Sequence, residues 1–325
     1  MTKNMTKNVA VIGCGNIAHF HIPAMRDAGF NIFSIAGSLN SKNAAKFAKK
    51  YDIDKVYNNP LDLINNSSEW DALLILSPVE TVVDYLKLAA PFGKPILTEK
   101  PVALKDNNLK ALINYKNIRV AYNRRFYSGV AFAKKFVEDH SNSLIKVTIP
   151  ELRKDPEYNA NFPSRLPLMI YENSVHMFDI LNYISGKVEW NYVSTIKDVN
   201  KYLATVALGK GIKGVTIQLD SCFNAPDNFS INIIAGNERL EMRPIEVTSL
   251  YSGMEVNEPT QEMPIRLYTP MLQNKIIDMP EQGHKPGFLG QAQDFMNFCL
   301  GRKDCTGADI MDAYSALKLA HSLVK

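Results

Sequence analysis

Two short clusters in this sequence carry the side chains best suited to proton transfer. The first is Lys100, which directly follows an apolar run and stands between Glu99 and Pro101, where a buried strand end would limit access of water. Burial lowers the pKa of a lysine and a neighbouring carboxylate raises it, and the amine can hydrogen-bond a substrate hydroxyl in either protonation state. The alternative interpretation is a surface lysine at the end of a strand.

The second cluster is Glu172, His176 and Asp179. Helical spacing places Glu172 one turn before His176, and Asp179 follows three residues later on the same face. A carboxylate in this position can fix the tautomer of an imidazole and raise its basicity, and such pairs act as general acids and bases when they face a cavity. A structural or solvated pair is the alternative. No metal site is predicted, because no third ligand accompanies the pair.

The remaining histidines and the cysteines indicate no further chemistry. The cysteines are scattered and form no Cys-x-x-Cys pair, which predicts neither a disulfide framework nor a zinc site and fits a reducing cytosol. The other histidines are interpreted as surface or packing residues. They are His19, His21, His140, His284 and His321.

A glycine-rich turn near the N-terminus predicts a dinucleotide site. The apolar run 9–12 leads into Gly-x-Gly-x-x-Ala at 13–18, and an amphipathic helix follows and ends at Gly29. Gly13 permits a sharp turn, Gly15 lets a pyrophosphate approach the backbone, and the small Ala18 lets the helix pack closely on the strand. The amide N–H groups at the helix start then hold the phosphates. The alternative is a purely structural turn.

Alternating strands and helices position these residues. Apolar strand runs alternate with amphipathic helices through about 120 residues, which predicts a doubly wound parallel sheet with crossovers on both faces. The predicted strands are 9–12, 31–36, 54–57, 72–76, 95–97 and 119–122, and the predicted later helices are 41–51, 61–65, 79–90 and 104–115. Ligands of such a sheet lie beyond the carboxyl ends of its strands. The residues expected there are Ser38, Ser77-Pro78, Glu99-Lys100-Pro101 and Asn123.

The pattern changes after Asn123. Helices are predicted at 128–138 and 172–184, and short period-two bursts from about Glu189 to Met263 predict a mostly antiparallel sheet with helices on one face. A loop is predicted at 274–287, followed by helices at 291–300 and 308–323. Because 325 residues exceed one ordinary α/β domain, we predict two domains, 1–122 and 123–325.

The bulk composition excludes several classes of protein. With 46% hydrophobic and 22% charged residues it is typical of a globular protein. The net charge of +4 is mild and no basic patch with interleaved aromatic residues occurs, so we expect no nucleic-acid partner. No run approaches about 20 apolar residues and the N-terminus is polar, so we expect no membrane span and no signal peptide. We expect a cytoplasmic protein.

Taken together, these residues resemble the Gfo/Idh/MocA family of NAD(P)-dependent oxidoreductases, which act mostly on sugars and polyols. The most specific part of the resemblance is Glu-Lys-Pro at 99–101 with Asn-Arg-Arg about 20 residues further on. The other stretches that carry it are Val9–Ala18, Ser77-Pro78, Tyr122–Phe126, the helix with Glu172, His176 and Asp179, Pro286-Gly287-Phe288 with Gln291, and Gly307-Ala308-Asp309.

The resemblance implies a Rossmann domain followed by an α/β domain with a large, mostly antiparallel open sheet that often forms a dimer interface. We therefore expect a homodimer or a homotetramer. It also implies hydride transfer between a nicotinamide cofactor and a secondary hydroxyl or ketone of a sugar, a polyol or a nucleotide-linked sugar. Arginines would suit a phosphorylated or diphosphate-linked substrate, and those available are Arg124, Arg125, Arg153 and Arg165.

The resemblance assigns roles to individual residues. The implied catalytic pair is Lys100 and His176, with Glu172 orienting the histidine. The implied substrate-binding residues are Lys100, Tyr122, Arg124, Arg165, Glu172 and His176. The implied cofactor-binding residues are Gly13, Gly15, Asn16, Ile17, Ser38, Lys42, Ser77, Pro78, Glu99, Lys100 and Asn123. Many members have Asp in place of Glu172, and a glycine-rich run that usually precedes that position is replaced by Pro167-Leu168-Met169-Ile170.

The choice between NAD and NADP is made at the end of the second strand. NAD enzymes place a carboxylate there for the ribose 2′-hydroxyl, whereas NADP enzymes avoid the acid and supply a cation. Ser38 occupies this position, so nothing repels a 2′-phosphate, and Ser38, Asn40 and Lys42 could contact it. The arginine that often follows in NADP enzymes is Leu39 here. The sequence slightly favours NADP over NAD as the cofactor.

Two other functions stay open at this stage. An NAD-dependent glycosidase oxidises its substrate transiently, eliminates and re-reduces, and would show a tightly bound cofactor and no net NADH. A dinucleotide-sensing regulator would use the same fold without turnover. A sensor has no need of Lys100 or His176, so their presence favours an enzyme.

Overall fold

The computed structural model of the chain describes residues 6–39, 41–151, 173–198, 201–212, 214–223 and 225–323. These residues form two compact units. Unit 1 contains the chain up to Phe126 and also Pro280–Lys318, and unit 2 contains Tyr127–Met279 and the residues from Leu319 onward. The segment 280–318, which the sequence boundary at 122 placed in the second domain, therefore belongs to unit 1.

Unit 1 is built on a mostly parallel sheet. Its strands are β1 Lys7–Ile12, β2 Phe30–Ala36, β3 Lys55–Tyr57, β4 Ala72–Ile75, β5 Ile96–Thr98, β6 Ile118–Val120 and the short β15 Ala308–Asp309. Within the described residues their order is β15-β6-β5-β4-β1-β2-β3, with β15 antiparallel to β6 and the other pairs parallel. This is the strand order of a doubly wound Rossmann sheet, and it confirms the predicted fold class of this part.

Helices connect the strands of unit 1. They are α1 Ala18–Asp27, α2 Lys42–Lys50, α3 Pro60–Asn65 and α4 Val79–Ala89. All four residues of β4 are fully buried, as expected of a strand covered on both faces. In α2 the residues Ala44, Phe47 and Ala48 are buried, and Ala45 is exposed.

The segment 280–318 belongs to unit 1 because its helix packs against α1. Helix α7 (Phe288–Cys299) places Phe288, Ala292 and Phe295 at helical spacing on one face. These side chains join the same buried cluster as Ile22 and Met25 of α1. Burial of this apolar face against α1 attaches the segment to the first unit, and α8 (Ile310–His321) follows β15.

The predicted helix at 104–115 is wrong. The structure has only a short 3₁₀ helix at Asp106–Leu109, followed by turns. Three consecutive residues, Asp106, Asn107 and Asn108, have side chains that compete for backbone hydrogen bonds. The apolar spacing in this segment is therefore not sufficient to propagate an α-helix.

Unit 2 contains a second sheet. Its strands are β7 Leu144–Ile149, β8 Glu189–Asp198, β9 Lys201–Lys210, β10 Thr216–Cys222, β11 Ser230–Ala235, β12 Glu238–Met242, β13 Val247–Asn257 and β14 Leu267–Ile277. Across the described residues their order is β14-β13-β12-β11-β7-β10-β9-β8. Strands β7 and β10 are parallel, and the other neighbours are antiparallel. Helices α5 (Ser128–Asp139) and α6 (Val175–Ser185) pack together. The predicted mostly antiparallel sheet is confirmed.

Strands β7 and β14 of unit 2 were not predicted from the sequence. The loop predicted at 274–287 is therefore wrong at its start, because Asn274 to Ile277 belong to β14. Most side chains of β14 are exposed, so neither face is forced to be apolar and the period-two signal is weak. Pro270 within the strand adds a breaker signal.

No helix in the described parts of the chain is long and apolar enough to cross a membrane.

Candidate dinucleotide and proton-transfer site

The turn after β1 is closed by a position that only glycine can occupy. Gly13 has φ +108°, and its N–H donates to the carbonyl oxygen of Ala36 at 2.8 Å. A Cβ atom at Gly13 would lie 2.5 Å from the carbonyl oxygen of Leu76. The end of β1 is thus held between the ends of β2 and β4, and any side chain at Gly13 would separate them.

The start of α1 faces open space. A Cβ atom at Gly15 would meet no atom of the described chain within 4 Å. Ile17 is the N-cap of α1 and makes no side-chain cap. Within the described residues, the amide N–H groups of Gly15, Asn16 and Ile17 have no hydrogen-bond partner. Three N–H donors at the positive end of a helix, beside an unfilled space, fit a pyrophosphate.

Other predicted cofactor residues lie at the carboxyl ends of neighbouring strands. Ser38 follows β2 and is exposed, and Lys42 is exposed at the first residue of α2. Ser77 follows β4 and accepts a hydrogen bond from the Thr81 hydroxyl at 3.0 Å, and Pro78 is the N-cap of α4. The structure thus groups these residues at the strand ends of one sheet, as the parallel order requires.

Lys100 follows β5 and is half-buried. The Glu99 carboxylate divides its two oxygens between separate partners. Oε1 lies 2.6 Å from Nε2 of His21 in α1, and Oε2 accepts the backbone N–H of Lys100 at 3.0 Å. The interpretation of His21 as a packing residue missed this link. A polar residue on the inward-facing side of an otherwise apolar helix face was the signal that could have found it.

The residues after β6 are tied into unit 1. The Asn123 amide donates to the carbonyl oxygen of Pro286 at 3.0 Å. Tyr122 is buried and Arg124 is half-buried. Arg125 is buried, and its guanidinium donates to the Asp312 carboxylate at 3.2 Å. This ion pair gives Arg125 a structural partner in place of the diphosphate considered from the sequence.

The predicted imidazole, that of His176, lies in unit 2. His176 lies in the first turn of α6 and is 7% exposed, and Asp179 on the next turn is 1% exposed. The buried Glu151, two residues after β7, accepts the backbone N–H of Ser174 at 2.9 Å and the Ser174 hydroxyl at 2.5 Å. Glu151 therefore anchors the N-cap residue of the helix that carries His176. Glu151 is not among the residues predicted from the sequence.

Several predicted residues lie outside the described residues. They are Glu172, Arg165, Arg153, Asn40 and Pro167-Leu168-Met169-Ile170. The role of Glu172 in orienting His176 stays a prediction.

The described residues offer little support for thiol or metal chemistry. Burial raises the pKa of the Cys299 thiol to about 12, so this thiol is protonated at neutral pH and is a poor nucleophile. Across the described ranges, no group of three or more His, Cys, Asp or Glu side chains could hold a metal ion.

The geometry agrees with a comparison to known protein families. Residues 7–120 match the model of the Gfo/Idh/MocA oxidoreductase family, described as having an NAD-binding Rossmann fold. Residues 7–120 are therefore similar to the NAD-binding domain of this family. The match confirms the resemblance over residues 7–120, a range that contains the glycine turn.

Curated relatives match part of this chain. An inositol 2-dehydrogenase from Paracoccus denitrificans is 24% identical over 55% of this chain and 54% of its own length. An inositol 2-dehydrogenase from Serratia proteamaculans is 32% identical over 34% of this chain and 33% of its own. The chain spans about half the length of the first curated relatives that it matches.

Solved structures share the fold over nearly the whole chain. An oxidoreductase from Thermotoga maritima has a TM-score of 0.76 at 16% identity and covers 98% of this chain and 96% of its own. A levoglucosan dehydrogenase in complex with NADH and levoglucosan gives the same values. At this identity the likeness shows the fold alone.

The two glycines of the turn predict opposite phenotypes. Gly13→Ala should destabilise the protein by about 2–3 kcal/mol, since it adds a Cβ in contact with backbone at a positive φ. Gly15→Ala should leave stability within about 0.5 kcal/mol but weaken NADH binding at least about tenfold, because its methyl group enters the space next to the N–H donors. Urea unfolding and NADH fluorescence titration measure the two effects.

A Gly15→Ala variant that binds NADH as tightly as the wild type would contradict the assignment of this turn. A Gly13→Ala variant of wild-type stability would contradict the close strand approach.

Proposed function

We propose that this chain is an NAD(P)-dependent dehydrogenase that oxidises a secondary hydroxyl of a sugar or polyol, or reduces the corresponding ketone. The observation that carries the proposal lies within unit 1. One helix, α1, presents open N–H donors at its start and contacts the carboxylate next to Lys100 through His21. The inositol dehydrogenases among the relatives support a polyhydroxylated substrate.

In this proposal Lys100 and His176 perform different parts of the proton transfer. The amide N–H groups of Gly15, Asn16 and Ile17 would hold the pyrophosphate of a dinucleotide, which would supply the hydride acceptor or donor. The Lys100 amine hydrogen-bonds the substrate oxygen as negative charge develops on it, and the His176 imidazole takes the hydroxyl proton. Asp179 and Glu151 are buried on or against the helix of His176 and limit its movement.

Removal of either proton-transfer group should abolish most turnover. Lys100→Ala and His176→Ala should each lower kcat by about 10²–10⁴-fold, the range for such groups. The measurement is NADH or NADPH formation near 340 nm with a panel of inositols, sugars and nucleotide-linked sugars.

Matched controls are available in each unit. Lys105→Ala removes an exposed lysine five residues from Lys100, and His140→Ala removes a half-buried histidine of unit 2. Both should keep wild-type kcat. Unchanged turnover in both Lys100→Ala and His176→Ala would contradict the proposal. Glycoside cleavage with no net NADH would replace it by a glycosidase.

The cofactor preference is a finer part of the proposal. The exposed Ser38 carries no charge, and Lys42 lies four residues later at the start of α2, so we expect a modest preference for NADP over NAD. Ser38→Asp should raise the KM for NADP at least about tenfold through repulsion of the 2′-phosphate, and Ser38→Asn should not. A wild-type protein that prefers NAD tenfold or more would contradict this preference.

The open sheet supports the proposal of a homo-oligomer. Val256 of β13 and Tyr268 of β14 lie directly opposite each other, with Met254 on the same face, and all three are exposed. An apolar surface of this kind is typical of an interface. The double variant Val256→Lys/Tyr268→Lys should therefore be monomeric in sedimentation velocity, whereas Leu88→Lys, at an exposed leucine of unit 1, should keep the wild-type mass. A monomeric wild type would contradict the proposal.

A further inference from the structure

A buried histidine–carboxylate pair joins helix α1 to the strand end that carries Lys100. His21 and Glu99 are 78 residues apart in sequence and 2.6 Å apart at Nε2 and Oε1. The His21 side chain is 4% exposed and that of Glu99 is 13% exposed. Both residues belong to unit 1, so the contact is internal to one compact body.

The His21–Glu99 pair also orients the backbone at Lys100. Burial of a charged or polar pair costs desolvation energy, and apolar side chains of the same volume often replace such pairs without loss of stability. The second oxygen of Glu99 accepts the backbone N–H of Lys100 at 3.0 Å. A carboxylate fixed at one oxygen by His21 therefore fixes, at its other oxygen, the peptide from which the Lys100 side chain begins.

His21 is itself held by two helices. It shares the buried face of α1 with Ala18, Ile22 and Met25. The Phe288 ring of α7 meets the imidazole in an edge-on arrangement, with a centroid distance of 4.9 Å. The imidazole orientation is thus set by packing, and the orientation of the Glu99 carboxylate follows from it.

We propose that His21 and Glu99 are positioning residues for Lys100. They connect the helix that begins at the glycine turn to the backbone at the base of the Lys100 side chain, so that the amine is held in a fixed place relative to a dinucleotide bound at that turn. This inference rests on the proposed catalytic role of Lys100. Neither residue exchanges a proton with the substrate.

Kinetics test the pair against a matched control. His21→Phe and Glu99→Ala should each lower kcat about 10–100-fold, since small misplacements of a catalytic group cost this much. In His21→Phe, the NADH dissociation constant and the substrate KM should stay within about threefold of the wild-type values. Glu99→Gln, which keeps an oxygen for the Lys100 amide, should recover part of the loss. The double variant should be no worse than the more damaging single variant.

The control is a second histidine–carboxylate pair, whose carboxylate lies on the same helix, α1. Nε2 of His284 lies 2.7 Å from a carboxylate oxygen of Asp27, the last residue of α1, and His284 is buried to a similar degree. His284→Phe breaks this pair without touching Glu99. The His284→Phe variant should keep wild-type kcat. A kcat loss equal to that of His21→Phe would mean that both losses come from disturbed packing of unit 1, and this would overturn the proposal.

A readout that needs no turnover separates this inference from the proposed function. Reductive methylation with ¹³C-formaldehyde labels the Lys100 amine, and its NMR signal is assigned by its absence in Lys100→Arg. The signal should shift in His21→Phe and stay in place in His284→Phe. Should His21→Phe fail to fold, His21→Gln and Glu99→Ala serve the same purpose.

The possible outcomes are distinct. If Lys100→Ala abolishes turnover while His21→Phe and Glu99→Ala leave both kcat and the Lys100 signal unchanged, the positioning role is overturned and the proposed function stands. If the wild type turns over no substrate, the proposed function fails. The Lys100 signal then decides alone whether the pair positions this lysine.

Discussion

The close approach of three strand ends at Gly13 is the constraint on which the rest of the site depends. The backbone turns there at a positive φ, against the carbonyl oxygen of Leu76 and hydrogen-bonded to Ala36. This contact fixes where α1 begins and therefore where its first N–H groups point. A larger residue would displace the helix start, and the proposed anion site would be lost with it.

Helix α1 connects the glycine turn to the rest of unit 1. Its start carries the open donors, its buried face carries His21, and its apolar side chains pack on α7. Through Glu99 the same helix contacts the backbone of Lys100. In the proposed function, phosphate binding and placement of the Lys100 amine therefore both depend on α1, which suits the preorganisation that hydride transfer requires.

The sequence predicted what local physics controls and missed what distant contacts control. The strands around β4 were predictable because burial on both faces demands continuous apolar runs, and the glycine spacing identified the turn. The segment 280–318 was misplaced because its partner α1 lies more than 250 residues away. The His21–Glu99 pair was hidden for the same reason, and β14 because its side chains are exposed and carry no enforced pattern.

A crystal structure of the protein bound to NADH would show whether the start of α1 holds the pyrophosphate. We predict pyrophosphate oxygens within hydrogen-bond distance, about 2.7–3.2 Å, of the amide nitrogens of Gly15, Asn16 or Ile17. A second part of this prediction is that the nicotinamide ring lies beside the Lys100 amine. A dinucleotide bound elsewhere, or a pyrophosphate that leaves these N–H groups without contact, would contradict it.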